Sequence, residues 1–549
     1  MDRRKFFRNG SLFTLGTAVI NPFQLSASDI GVDLFDKNKK AKNIIFMVSD
    51  GMSTGTLNMA DLFLNRKYGK GSNWLQLYKD NKVKRALMDT ASASSIVTDS
   101  SAGSSSWGGG FRVNNGALNV GPNGEEHLPI LQKFKKAGKM AGCVTTVAIT
   151  HATPAGFCVN SAKRSAQDDI AEMYLSLGFD VMLGGGNNFF DPKVRKDKKD
   201  VYAGFYAKGY QIAKNRTEFL SLKNDKPILG IFDDDAVPYS IDRTNSAELT
   251  AKIPTLAEMS QKAIDRMKDH KKGFVLQIES GKVDWGAHAN DIAALIHEQI
   301  AFDEAIKVAM DFAEKDGNTL VIITTDHGNA NPGVIYGKNA NDNFDSIQKY
   351  TNTNEVILNG FNSNTTASQI REKFEAANGK AVSDDVAKEI LSYYNGLHKQ
   401  EDGLYNYKKL PFKALADIQQ KYNSVGWISM DHSADYVELA MYGPGSDLLK
   451  PFVKNTDLHY LMLQAAEGKT NFNTYTILLK MRYFTVIAFF CFDIFKKLYL
   501  ARNPIPQTYV SRKSTADYLL AFCRFYAGHV RSKTQNLLSY FLSNWRFIN

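Results

Sequence analysis

The sequence predicts an α/β fold in which a central, mostly parallel sheet carries helices on both faces, with an insertion subdomain set into its second half. Three observations lead there. Short apolar runs recur and end in acidic clusters: Asn43–Val48 before Ser49-Asp50-Gly51, Phe274–Ile278 before Glu279, and Leu320–Thr324 before Asp326. These runs are continuously apolar rather than alternating, as strands buried on both faces are. Helical periodicity fills the spaces between them, over Ile253–His270 and Asp291–Glu314, and alternating strand and helix favours parallel pairing.

In chain order, residues 1–28 read as an export signal. Arg3-Arg4-Lys5 precede a short apolar stretch, Ser11–Ile20, and a small-residue segment, Leu25–Asp29, a twin-arginine-like pattern that a general secretory signal shares in part. A Lys-rich linker, Asp36–Lys42, leads into the first strand. Ser100 follows Asp99 and precedes small residues through Ser106, so it opens a helix whose free N–H groups favour an anion. Gly142–Val147 is a strand before Thr150-His151-Ala152-Thr153-Pro154, and Phe179–Leu183 is another before a Gly184–Gly186 turn. From 329 to 424 an Asn- and Lys-rich stretch with helical patches at Ala367–Ala377 and Asp384–Asn395 forms the insertion. Tyr436–Tyr442 returns as a strand, and Asp457–Ala466 is a closing helix.

The formal net charge of +10 over 549 residues suggests a polyanion partner, but its distribution argues otherwise. Residues 470–549 hold eleven Lys and Arg against two Asp, which leaves the body nearly neutral and gives no electrostatic case for nucleic acid binding. That tail, rich in Phe and Tyr, is either a membrane-surface or partner-binding appendage or a gene-model artefact. Its apolar run Tyr483–Phe492 is about half a membrane span. Of the four cysteines none forms a Cys-x-x-Cys pair. Cys143 and Cys158 could join in an exported protein or remain buried thiols.

The chemistry lies in five motifs: Ser49-Asp50-Gly51, Thr98-Asp99-Ser100, Glu279 through Asp284 to His288, Thr325-Asp326-His327-Gly328, and Asp431-His432-Ser433. Asp284 and His288 are four apart, so one helical turn presents both to a single divalent ion. Asp326 and His327 are adjacent, which suits a strand end or loop. A serine hydroxyl needs a base or a metal to become a nucleophile, and no Gly-x-Ser-x-Gly elbow surrounds Ser100, so metal activation is the better-supported choice. Each motif alone is weak, a helix cap or an ordinary histidine being the bland alternative. Together, following strands that should share one sheet edge, they describe a multi-metal phosphoryl-transfer site.

These motifs, with Ala152-Thr153-Pro154-Ala155 and Tyr442-Gly443-Pro444, resemble the alkaline phosphatases over residues 40–468. The resemblance implies that Ser100 is a nucleophile passing through a phosphoseryl intermediate and that Arg164 clamps phosphate. It implies one zinc on Asp284, His288 and His432, and a second zinc on Asp50, Asp326 and His327. A third site, usually magnesium, would use Asp50, Thr153 and Glu279. It further implies small phosphate-ester substrates, a homodimer, and a periplasmic or envelope location. Two positions depart from the better-known bacterial pattern: His151 and Trp285 stand where an acidic residue and a lysine are found. Histidine prefers transition metals, so the third site is expected to take zinc or cobalt, or to hold magnesium loosely. The rival readings are a phosphodiesterase or sulfatase, disfavoured by Arg164 and by the absence of a Cys/Ser-x-Pro-x-Arg segment, and a silent surface-binding protein.

Overall fold

The computed structural model describes residues 39–400 and 404–467. The expected export signal, the tail with its apolar run, and Cys491 and Cys523 lie outside the described residues.

The described residues form fourteen strands: β1 Asn43–Ser49, β2 Lys84–Asp89, β3 Met140–Ala148, β4 Val181–Gly185, β5 Gln211–Ala213, β6 Ile228–Ile231, β7 Phe274–Ser280, β8 Thr319–Thr324, β9 Gly328–Asn329, β10 Gly333–Val334, β11 Val425–Gly426, β12 His432–Ser433, β13 Val437–Tyr442 and β14 Phe452–Lys454. Ten build one sheet, in the order β14-β2-β13-β8-β1-β7-β3-β4-β6-β5. Only β13 runs against the other strands of this sheet, pairing antiparallel with both β8 and β2. The centre, β8-β1-β7-β3, is wholly parallel and in continuous register. The carboxyl ends of these four strands therefore lie side by side.

Successive residues of the central strands enter opposite cores. Ile45 and Met47 of β1 join Leu276, Ile278, Val321 and Ile323 on one face, while Ile44, Phe46 and Val48 join Val275, Leu320 and Ile322 on the other. All of these side chains are buried, as the unbroken apolar runs require. The helix Ile292–Asp316, capped by the Asp291 side chain on Ala293 and Ala294 N–H, packs on the first face. Helix Ser100–Gly109 lies on the second, through Trp107.

The region between β10 and β11 is helical, with Ala340–Ser346, Asn354–Asn359, Ala367–Asn378, Asp384–Ser392 and Phe412–Asn423. Its core of Ile357, Leu358, Phe374, Ile390, Tyr394 and Leu415 is separate from the two sheet cores.

Two local expectations are corrected. The helix expected over Ile253–His270 is shorter, Leu256–Met267: it begins after Pro254, from a capping box between Thr255 and Glu258, and a separate helix, Ala247–Lys252, precedes it. Gly184 and Gly185 are not turn residues but the last two residues of β4, and neither has room for a side chain: a Cβ would meet Thr145 Cγ2 and Val147 O at Gly184 and Asp235 O at Gly185. Only Gly186, at φ +107°, makes the turn.

Candidate active site

The site sits across the carboxyl ends of β8, β1, β7 and β3. Asp50 directly follows β1, Glu279 is the penultimate residue of β7, and Asp326 and His327 follow β8. His151 and Thr153 come at the start of the helix Ala152–Cys158, just beyond β3. The helix Lys282–His288 carries Asp284 and His288 on one side. His432 arrives from far along the chain because β12 pairs with β9, setting His432 opposite Asn329. The nucleophile candidate Ser100 is the first residue of its helix, and the Asp99 carboxylate caps it by accepting the Ala102 N–H at 2.9 Å.

Three groups of ligand-type atoms converge: Asp284 with His288 and His432; Asp50 with Asp284 and His327; and Asp50 with His151 and Glu279, each within 4.8 Å. Asp326 adjoins the middle group, its Oδ2 lying 3.2 Å from His327 Nε2. Asp284 stands between the first two groups, a sharing that sequence spacing did not reveal. Ser100 Oγ is 3.4 Å from His327 Nε2, at the heart of the cluster.

The donor set fits multivalent cations. Asp50 Oδ1, Asp326 Oδ2, Glu279 Oε1 and His151 Nδ1 are buried with no hydrogen-bond partner in the protein. Buried polar atoms are normally satisfied, and unpaired carboxylate oxygens in a dry site are costly unless a cation meets them. Burial, followed by repulsion from Asp326, Asp284 and Glu279, pushes the Asp50 carboxyl well above the usual range. Burial likewise raises Glu279 to about 7, against the 2.6 Å hydrogen bond that Thr145 Oγ1 donates to it. A cation would reverse both shifts.

At the other end the charges balance. Burial opposes ionisation of Asp284, but the neighbouring His288 and His432 hold it well below the usual range. Burial also opposes the charged form of His432, and Asp284 overcomes it, raising that imidazole to about 9. His288 Nδ1 bonds Met430 O at 2.6 Å and His432 Nδ1 bonds Thr98 O at 2.9 Å. Both rings thereby turn Nε2 inward, where the two atoms are 3.0 Å apart. Such outer hydrogen bonds fix ring orientation for metal binding.

Arg164 reaches the same place. Its guanidinium donates to Asp99 Oδ2 at 3.0 Å and faces His151 Nε2 at 3.1 Å. Burial works against the Asp99 charge, and Arg164 with the helix N–H groups outweighs it, so this carboxylate stays ionised. His151 is held neutral, its pKa lowered to about 3 by burial and by Arg164. Its ring meets Trp285 edge-on with centroids 6.4 Å apart.

Sequence reasoning missed two supporting residues and the second role of a third. Asn329 donates to Asp284 Oδ1 at 2.7 Å and so orients it. Thr145, on β3, holds Glu279 across the ladder. Asp99 anchors Arg164 as well as capping the helix. Asp99 had a legible signal, the cap position before Ser100. Asn329 and Thr145 had none, since their partners are 45 and 134 residues away.

Known proteins carry the same pattern. The alkaline phosphatase family matches residues 41–468. Alkaline phosphatase 4 of Bacillus subtilis is 30% identical over 424 residues, 76% of this chain and 87% of its own. The alkaline phosphatase of Escherichia coli is 30% identical over 370 residues, 58% of this chain and 78% of its own. Among solved structures, the alkaline phosphatase of Thermus thermophilus superposes with a TM-score of 0.71 at 31% identity, covering 82% of this chain and 95% of its own. Likeness of sequence over this span, together with a buried acid and histidine cluster built for cations at the end of a mostly parallel sheet, establishes that the chain belongs to the alkaline phosphatase family of metal-dependent phosphomonoester hydrolases.

Proposed function

We propose that this protein is an exported alkaline phosphatase that hydrolyses small phosphate monoesters through a phosphoseryl intermediate on Ser100. The observation that carries this reading is the position of Ser100 Oγ, 3.4 Å from His327 Nε2 and at the start of a helix whose cap, Asp99, also holds Arg164. Asp284, His288 and His432 would hold one zinc, and Asp50, Asp326 and His327, with Asp284 beside them, a second. Asp50, Thr153 and Glu279, with His151, would hold a third cation. When bound, the cations neutralise the ester, favour the ionised forms of the serine hydroxyl and of water, and stabilise the departing alkoxide.

The protein's own groups do the rest. The Ser100 oxygen forms its bond to phosphorus as the bond to the alcohol oxygen breaks, and water then attacks the phosphoserine to release inorganic phosphate. Arg164 offers a planar fork to two phosphate oxygens. The Asp99 carboxylate keeps that fork aimed, and the N–H groups opening the Ser100 helix add positive potential. Because Arg164 occupies the space that a second ester group needs, monoesters are preferred. The His151 nitrogen favours zinc or cobalt over magnesium at the third position. We assign residues 40–468 to the catalytic unit with 329–424 as its insertion, 1–28 to an export signal leading to the periplasm or envelope, and 470–549 to an appendage. We further propose that the functional unit is a homodimer and that the appendage contacts the membrane surface.

The test is hydrolysis of an aryl phosphate against pH by wild type and Ser100→Ala, with zinc and magnesium supplied and diester and sulfate esters as controls. Monoester turnover with an alkaline optimum, lost by about 10³-fold or more in the variant, is expected. Preferred diester or sulfate turnover would overturn the assignment.

A further inference from the structure

Away from the ligand atoms, two thiols face one another inside the second sheet core. Cys143 lies within β3 and Cys158 is the last residue of the helix Ala152–Cys158. Their sulfurs are 3.5 Å apart although the residues are 15 apart in sequence, and both side chains are fully buried. Both ends of the pair are held. Cys143 is laddered to Gln277 on one side and Met182 on the other. The helix end is fastened by Asn119, whose amide donates to Gly156 O at 2.7 Å and Val159 O at 2.8 Å, and by Gln132, which donates to Cys158 O at 2.8 Å.

We propose that Cys143 and Cys158 form a disulfide when the chain folds in the presence of a disulfide donor, and that this bond fastens the segment bearing His151 and Thr153 to the central sheet. A disulfide spans about 2.05 Å, so the sulfurs must close by roughly 1.5 Å. Cys158 ends its helix, and Val159 leaves it in an extended conformation at φ −135°, so the terminal turn can take up that movement. The reaction balances as a thiol–disulfide exchange. Two S–H bonds and the donor's S–S bond are lost, one protein S–S bond forms, and the donor, a small-molecule or protein disulfide, leaves as two thiols. Gln277 Oε1 gives up the weak 3.4 Å bond it accepts from Cys143.

Burial raises the Cys143 thiol well above its usual pKa, and the thiolate is the attacking form. Exchange therefore belongs to folding, before the core closes. Once formed, the bond is shielded from reductants and acts as a staple rather than a switch. What it staples is functional: the loop it closes contains His151 and Thr153, two residues of the proposed third cation group.

The full chain, unfolded under reducing conditions and refolded with either oxidised or reduced glutathione, provides the test. After alkylation of free thiols in denaturant, trypsin leaves both cysteines in one peptide, Met140–Lys163, because no Lys or Arg lies between. The oxidised preparation is expected to give this peptide unalkylated and lighter by two hydrogens. Two alkyl groups on it, a glutathione adduct, or a link to Cys491 or Cys523 would overturn the proposal. Amide hydrogen exchange over 144–157 is expected to be slower in the oxidised protein than in the reduced protein, with the Cys143→Ala/Cys158→Ala variant matching the reduced form under both conditions. Equal exchange in oxidised and reduced wild type would refute the fastening role.

Discussion

The two ends of the site solve opposite electrostatic problems. At the histidine end Asp284 has His288 within 3.4 Å and His432 within 3.5 Å, so its charge is partnered before any cation arrives. At the carboxylate end Asp50 and Glu279 are buried together, with orphaned oxygens and a histidine that is held neutral. The first end is preorganised by opposite charge, while the second is held against burial first and like charge second. Stability and binding therefore pull in different directions along one sheet edge, and the carboxylate end is where cation binding should contribute most to folding.

The comparison is best broken by mutations of opposite sign in the cation-free protein. Asp284→Asn should destabilise it by about 2–4 kcal/mol, since it removes the partner of two inward-facing imidazoles. Glu279→Gln should stabilise it by about 1 kcal/mol, since it removes a carboxyl whose charge is opposed first by burial and then by Asp326. Denaturant unfolding of chelated samples reads both. Two changes of the same sign would show that the ends do not differ in this way.

A smaller effect sharpens the role of the group at the mouth of the site. Arg164→Ala should lower kcat/KM for an aryl phosphate by about 10- to 100-fold, the worth of one or two charge-assisted hydrogen bonds. It should leave at least two zinc ions bound per chain, as measured by elemental analysis, because Arg164 touches Asp99 and His151 and none of the residues proposed to hold the first two cations.

An effect confined to acid pH concerns His459, a histidine outside the three ligand groups. His459 is buried, with Nδ1 2.9 Å from Trp107 O and Nε2 2.7 Å from Lys133 Nζ. Burial and Lys133 lower its pKa to about 3. The unfolded chain then binds the proton more readily than the folded one, so stability is present above the unfolded pKa of about 6.5 and is lost as pH falls below it. His459→Gln should flatten the stability profile of the chelated protein between about pH 6.5 and 4, by at most about 1.4 kcal/mol per pH unit. An unchanged slope would mean that His459 is not the group responsible.

Much of the fold was legible because it depends on near neighbours. The unbroken apolar runs before Asp50, Glu279 and Asp326 could only be strands covered on both faces, and Asp291 and Asp99 stand where helix caps should. The four-residue step from Asp284 to His288 likewise announced a shared helical face. Other features could not be read locally. Gly184 and Gly185 look like turn residues, yet they end β4 and have no room for a side chain. β13 reads like any strand, and nothing within it shows that it runs against β8 and β2. Asn329 is an ordinary polar residue until the fold sets it on Asp284.

By itself, the sequence determined the strands β1, β3, β4, β7, β8 and β13 and several of the helices, which residues are candidates for metal-ligand and nucleophile chemistry, and that their polar ends should meet at one sheet edge. These are consequences of periodicity, capping and spacing, which act over a few residues. The tertiary structure decided that β8, β1, β7 and β3 are neighbours, that Asp284 stands between two ligand groups, and that Glu279 and Asp50 are left with unpaired oxygens while His151 is held neutral. Desolvation and Coulomb interaction set those states, and both depend on groups brought together across hundreds of residues by strand order.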